Sequence, residues 1–298
     1  MSTTSLFRLL LLAAIWGASF LFMRIAVPVL GPAWLIEVRV LLAALLLWGV
    51  ARVLRRPTLE LRRHGRHYLV LGLFNTALPF LCFAFAARTL PASLLSILNA
   101  TGPIWGALIG ALWQGAALRP RAVAGLLLGV GGVALLLGVD PAALQADAGM
   151  AIAATLAATC CYGVASNYAR VAPSQGALAN AHGSMWTAVL WLLPFLLLAP
   201  AAPQPTAGVA AAVIALGLLC TGVAYLLYFQ LVADIGPAPA LTVGFLIPVF
   251  GVLWGWLFLD ETVGWHTLAG ALVVLAGTAL VTGFDPRTLR LRREAPHG

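Results

Sequence analysis

Read from its N-terminus, the chain alternates long apolar stretches with brief polar, proline-containing or glycine-containing breaks. Each stretch runs for roughly twenty residues, the length an α-helix needs to cross a hydrocarbon core about 30 Å thick. Dividing the sequence at Pro, Gly and charge clusters predicts spans at 7–28, 33–54, 67–88, 91–113, 121–139, 147–170, 177–199, 207–230, 236–259 and 263–284. The breaks are short, except for an arginine-rich connection from about Arg52 to His67 and a tail after Asp285. The expected fold class is therefore an all-α integral membrane protein, with no separate domain outside the bilayer.

Composition sharpens this picture. Of 298 residues, 62% are hydrophobic and 9% charged, against about 25% charged in an ordinary soluble domain. The formal net charge of +8 sits in the breaks, so it encodes topology rather than a nucleic-acid surface. All seventeen basic residues are arginine. With a cytoplasmic N-terminus, Arg8, Arg52, Arg55, Arg56, Arg62, Arg63, Arg66, Arg119, Arg121, Arg170, Arg287, Arg290, Arg292 and Arg293 fall at cytoplasmic ends, leaving Arg24, Arg39 and Arg88. The positive-inside rule then puts both termini in the cytoplasm, which an even number of spans requires. The first apolar run lacks a clean small-x-small cleavage site and is read as a retained helix rather than a leader. No organellar or lipidation signature is visible, which fits a bacterial inner membrane. Cys82, Cys160, Cys161 and Cys220 lie inside spans without metal or disulfide spacing and read as packing residues.

The two halves of the chain match at an offset of 145 or 146 residues. WGASFLFMR, with Gly17 and Arg24, aligns with YGVASNYAR, with Gly163 and Arg170. Pro91 aligns with Pro237 and Pro103 with Pro248, and GLLLGVGGVALLLGVDP at 125–141 aligns with GALVVLAGTALVTGFDP at 270–286. A repeat of five spans is odd, so the second copy enters the membrane from the opposite face. Inverted repeats are the usual construction of secondary carriers. Duplication by itself also fits fold ancestry in channels or lipid-handling proteins.

WGASF in the first span, the stretch from Glu37 to Arg39, NATGPIWGALIG at 99–110 and FLIPVFGVLWGWLFLDE at 245–261 resemble EamA-type members of the drug/metabolite transporter superfamily. The resemblance runs through the whole chain, with one departure, Thr262 and Val263 after Asp260 and Glu261. It implies ten transmembrane helices in two inverted five-helix EamA repeats, 1–146 and 147–298, the second ending in a short basic cytoplasmic tail. It also implies export of amino acids or other small metabolites through a central cavity among the first, third, fourth, sixth, eighth and ninth helices. These motifs identify a fold well and a substrate poorly.

Candidate cavity residues follow from the repeat. Thr76, Phe80 and Phe83 recur as Thr221, Tyr225 and Tyr228, at a spacing that lines one helical face with a hydroxyl and two rings. Such a face suits an amphipathic solute, and equally suits packing between helices. Trp16 and Tyr162 occupy equivalent places in the first and sixth spans. Ser96, Asn99 and Thr242 add polar groups that face protein or a cavity rather than lipid, or bond their own backbone. Pro103 and Pro248 lie mid-span, where proline removes a backbone hydrogen bond and can kink or gate a helix. Gly106 with Gly110 and Gly251 with Gly255 form duplicated GxxxG pairs, read as packing within the chain or across a weak dimer.

Arg24, Glu37 and Arg39 are charges within or beside spans, and an ion pair between Arg24 and Glu37 across the first outer turn is expected, with snorkelling as the alternative. His182 is read as structural. No mid-span carboxylate faces the expected cavity, which disfavours a cation-specific drug antiporter. No HExxH, clustered carboxylates or phosphate loop ending in Lys is present, and the chain holds no lysine. The sequence thus predicts a non-enzymatic carrier without metal or cofactor, working in the bilayer as a monomer or weak homodimer. Alternatives are export of drugs or nucleosides, lipid translocation, and a passive channel.

Overall fold

The computed structural model describes residues 2–55, 59, 61–115, 117–136, 146–172, 176–200 and 204–283. All regular structure among these residues is helical: α1 (Thr3–Val53), α2 (Arg62–Ala86), α3 (Ala92–Gln114), α4 (Pro120–Leu136), α5 (Ala146–Val171), α6 (Ala177–Leu198), α7 (Ala207–Ile235), α8 (Val243–Leu259) and α9 (Trp265–Thr282). Seven are long and apolar enough to cross a membrane, and α4 and α8 are shorter apolar helices. The tail after Asp285, with its four arginines, lies outside the described residues.

Helix α1 is two helices joined across a kink. Gly31 adopts φ 71°, ψ 165° between Pro28 and Pro32, a conformation open chiefly to glycine. Arg39 reaches Met23, with Nη1 3.8 Å from Sδ. On a straight helix those residues would stand about 24 Å apart at 1.5 Å per residue. The chain therefore doubles back at Gly31, and α1 consists of two arms, 3–30 and 32–53.

Two helices loosen at equivalent places. Gly72–Ala77 in α2 and Ala215–Val223 in α7 are π-helical turns, the type of local distortion that concentrates at functional sites. In α7 the hydroxyl of Thr221 donates to the carbonyl of Leu216, five residues back, at 2.8 Å. Helix α3 breaks at Ala100–Thr101 into Ala92–Asn99 and Gly102–Gln114, with Pro103 in the first turn of the second piece, where a missing N–H is harmless. Pro248 lies inside the unbroken α8, and the corresponding irregularity falls earlier, at Leu241–Thr242, after a single turn Pro237–Ala240. The two prolines thus play different local parts.

Close packing at glycines reveals an approximate two-fold arrangement. A Cβ on Gly72 would meet Ser184 O at 2.9 Å and Thr187 Oγ1 closer still, and a Cβ on Gly217 would meet Leu42 Cβ at 2.8 Å and Arg39 O at 3.0 Å. Gly217, Ser184 and Thr187 lie 145 residues after Gly72, Arg39 and Leu42 respectively. The first arm of α1 meets α8 in the same manner that α5 meets α3: Gly17 abuts Phe250 and Gly251, and Gly163 abuts Trp105 and Gly106. The contacts of Gly125 with Gly277 and of Gly132 with Gly270 are one contact seen from either half, so α4 and α9 flank the axis. Each half buries its helices against the other half, which makes the bundle one core.

The duplicated GxxxG pairs serve this internal packing. Gly106 faces Ser166, Gly110 faces Asn167, Gly251 receives Ser96 and Gly255 receives Glu261. A groove along Leu45, Leu46, Gly49, Val50, Val53 and Leu54 is almost wholly apolar and offers nothing to orient a solute.

Candidate functional site

A cavity of about 220 Å³ opens between α2, α5, α6 and α7, lined by Leu71, Asn75, Ser166, Asn180, Ser184, Tyr225 and Phe229 among others. Its walls carry amide, hydroxyl and aromatic groups together, the mixture that orients a small amphipathic solute. Asn75 Nδ2 donates to the Tyr225 hydroxyl at 3.3 Å. Nearer the end of the bundle, His67 bridges Tyr168 Oη (3.3 Å) and Asn180 Oδ1 (3.0 Å), tying the start of α2 to α5 and α6. Arg8 and Asp234 form an ion pair at this same end, linking α1 to the close of α7.

Below the cavity lies an aromatic cluster. Trp16 and Tyr228 stand 5.5 Å apart between ring centroids, Phe20 and Phe83 5.5 Å, and Phe83 and Tyr162 6.2 Å. The two repeat-related sets each contribute a ring, Phe83 to the contacts with Phe20 and Tyr162 and Tyr228 to that with Trp16. Their members differ in role: Tyr225 lines the cavity, whereas its counterpart Phe80 is buried beneath the guanidinium of Arg39, with Cζ 3.7 Å from the ring centroid.

Arg39 is only 5% exposed. Its Nε donates to Thr221 Oγ1 at 2.9 Å, and the ionisable groups within electrostatic reach are Tyr162, Cys220 and Tyr225. No carboxylate pairs with it among the described residues. Burying a cation at mid-membrane costs about 2.5–3.5 kcal/mol on insertion scales, and the ring of Phe80 offsets about 0.5–2 kcal/mol of that.

The expected ion pair between Arg24 and Glu37 does not form. Arg24 Nη1 instead donates to Ala87 O (2.8 Å) and Arg88 O (3.0 Å), at the C-terminal end of α2, where the partial negative charge of the helix favours a cation. Glu37 is buried, and its Oε2 has no hydrogen-bond partner. Two carbonyls within reach satisfy the guanidinium without ordering a second long side chain, which explains the preference.

Among the remaining sequence candidates, Ser96 donates to Ser93 O (2.7 Å) and fills the space over Gly251, so it packs helices. Thr242 donates to Pro239 O at 2.7 Å and closes a turn. Thr76 is fully buried with its hydroxyl unpaired, and Asn99 is half-buried at the end of the first piece of α3. Sequence reading passed over Asn75, Asn180 and Ser184, although asparagine or serine within an apolar span carries the signal that could have found them. It also passed over Asn167, whose Nδ2 donates to Gly106 O at 2.8 Å, and Glu261, whose carboxylate accepts from the backbone N–H groups of Ala92 (2.6 Å) and Ser93 (3.0 Å).

The two ends of the bundle are unlike. Residues 145 positions from those of the cavity are Leu216 for Leu71, Cys220 for Asn75, Leu35 for Asn180, Arg39 for Ser184, Phe80 for Tyr225 and Ala84 for Phe229. None of these counterparts is more than 7% exposed. Asn75, Asn180, Tyr225 and Phe229 are half-buried in the cavity wall, whereas their counterparts Cys220, Leu35, Phe80 and Ala84 are buried, so the equivalent region is the more tightly packed of the two.

Comparison with known proteins accords with this architecture. A solved structure described only as "Crystal structure of protein" is similar at a TM-score of 0.64 with 19% identity, covering 94% of this chain and 96% of its own, which speaks for the fold alone. No protein with a curated description matches the sequence. The EamA-like transporter family matches twice, over residues 3–138 and 149–283, so that with its apolar helical bundle the chain belongs to the EamA-like transporter family as a multi-pass membrane protein.

Proposed function

We propose that this protein is a secondary carrier that exports small organic metabolites, amino acids foremost, by alternating access between two inverted five-helix halves, 1–146 and 147–298. The count of ten crossings takes the two arms of α1 together with α2 to α9. The observation that carries this reading is the open cavity opposed by a packed equivalent, since inverted halves can exchange these conformations and present the same site to either side.

The described arginines at the open end include Arg8, Arg52, Arg119, Arg121 and Arg170. By the positive-inside rule that end is cytoplasmic, with both termini on the same side and the whole in a bacterial inner membrane. An exporter loads from this side. At the closed end, Arg24 holds the last carbonyls of α2 while Glu261 holds the first N–H groups of α3, so the turn joining these helices is clamped from both sides. The repeat equivalent of Arg24 is Arg170, which is exposed and whose side chain makes no hydrogen bond among the described residues. Exchange of these two contacts would accompany exchange of the open end.

The cavity's mixture of rings, amides and hydroxyls matches a solute with an apolar body and polar ends. Proteoliposomes loaded with unlabelled phenylalanine and diluted into labelled phenylalanine should show saturable, protein-dependent counterflow. Flux that rises without saturation and shows no counterflow would replace the carrier by a channel. Absence of flux for aromatic, aliphatic and charged amino acids alike would move drugs, nucleosides and lipids ahead of amino acids.

A further inference from the structure

We propose that Arg39 is the anion-binding point of the transport site, taking the carboxylate of a small amphipathic acid that enters through the open cavity; this rests on the carrier reading above and narrows its substrate class. The guanidinium carries five N–H donors. Among the described residues, its hydrogen bonds are one to Thr221 Oγ1 and one weak contact to the thioether of Met23. The rest of the fork makes no further hydrogen bond among the described residues, and it is not among the fully buried orphaned atoms, so it remains able to take an acceptor, whose loss in a membrane interior is costly. A carboxylate is the group whose two oxygens match such a fork.

Two placements connect Arg39, which stands on the closed side at the position Ser184 holds in the cavity wall, to that cavity. Tyr225 belongs to both surroundings, since it lines the cavity and lies within electrostatic reach of the guanidinium. Thr221, the partner of Arg39, sits in the π-helical turn of α7, one helical turn before Tyr225, so a shift in that turn moves the donor network and the cavity wall together. The acid's apolar body then meets the rings of Phe83, Tyr162 and Tyr228 while Arg39 fixes its charged end.

The other arrangement available to a buried arginine, a structural ion pair, is absent among the described residues. Glu37 lies two residues away in sequence, and its Oε2 is unpartnered. Stacking on Phe80 leaves the edge of the guanidinium free, because a cation over a ring uses its face and hydrogen bonds use its rim.

The test uses the full-length protein and three probes: phenylalanine, 3-phenylpropionate, which lacks the amine, and phenethylamine, which lacks the carboxylate. In wild-type proteoliposomes 3-phenylpropionate should compete with phenylalanine counterflow, and phenethylamine should compete roughly ten- to a hundredfold more weakly, the range expected for losing a charged hydrogen bond. Arg39→Gln should raise the KM for phenylalanine by a similar factor and erase the preference for the acid, with Arg39→Lys intermediate. Equal competition by amine and acid in the wild type, or an Arg39→Gln protein whose KM stays within about twofold, would overturn the proposal.

Thermal stabilisation of detergent-purified protein by 3-phenylpropionate reads the same contact without transport. It should be present in the wild type, reduced in Arg39→Lys and lost in Arg39→Gln. If Arg39→Gln does not fold, Arg39→Lys and the wild-type competition series decide between the outcomes. Carboxylate binding that depends on Arg39 without any counterflow would remove the carrier reading and keep this one; counterflow without preference for the acid would do the reverse.

Discussion

The open cavity and its packed equivalent are built from the same scaffold with different chemistry. At the open end, α2 and α7 present Asn75, Tyr225 and Phe229 toward Asn180 and Ser184 of α6. At the closed end, α7 and α2 present Cys220, Phe80 and Ala84 toward Leu35 and Arg39 of α1, all buried. Backbone packing is shared, since Gly72 and Gly217 make matching close approaches. Wall chemistry is not: amides and hydroxyls at one end replace apolar groups and one cation at the other. An inverted repeat therefore need not give two states of equal free energy. Opening the apolar end exposes surface that prefers burial, at about 25 cal/mol per Å², and the described conformation is favoured accordingly.

The harshest way to break this comparison is to fill the two matching glycine contacts. Leucine at Gly72 would drive into Thr187 and Ser184, and leucine at Gly217 into Leu42 and the carbonyl of Arg39. Each glycine contact has its counterpart in the other half, so both substitutions should lower counterflow by about a hundredfold or prevent assembly, as overpacking by about 3 kcal/mol at a moving contact implies. Gly131, which has open space where a Cβ would stand, is the control, and Gly131→Ala should transport normally. Loss at Gly72 with full activity at Gly217 would show that the halves do not move as equivalents.

A milder probe reads the asymmetry directly. In a background with the native cysteines replaced, Asn180→Cys and Leu35→Cys are repeat-related reporters. A water-soluble maleimide should label the first roughly tenfold faster or more than the second, because thiol reaction needs an exposed thiolate. Saturating substrate should narrow the ratio if both states are visited during exchange. Equal rates without substrate would mean that both ends are equally open.

Much of the fold was legible, and the reason is periodic. Helix length and the constant offset between halves are properties of long stretches, so single substitutions hardly disturb them. Of the candidate rings, Trp16 meets Tyr228 and Phe83 meets Tyr162, because mid-span rings repeated in both halves have few other places to go. The split between Phe80 and Tyr225 was not legible, because it is set by a tertiary contact, Phe80 lying under the guanidinium of Arg39. The partner of Arg24 was equally hidden. Sequence shows charged side chains, whereas the acceptors that win are backbone carbonyls of Ala87 and Arg88, which every residue carries. The π-helical turns at Gly72–Ala77 and Ala215–Val223 also shift the faces that a 3.6-residue period assigns to Thr76 and Thr221.

The smallest expected effect concerns the clamp at the closed end. Glu261 accepts two N–H groups at the start of α3, while the repeat-equivalent position in the first half is Ala116, which has no carboxylate to offer the start of α8. Glu261→Gln keeps one carbonyl acceptor and loses the charge that favours a helix N-terminus, a change worth about 1 kcal/mol. Melting should fall by a few degrees, in line with about 2–4 °C per kcal/mol for a chain of this size class. Labelling of Leu35→Cys should rise modestly, because the closed end is the one that loosens, and labelling of Asn180→Cys should not rise with it. Arg24→Gln, which removes two bonds to the same turn, should act in the same direction and more strongly. If Glu261→Gln lowered the melting point and left both labelling rates unchanged, the contact would be a helix cap and no part of the difference between the two ends.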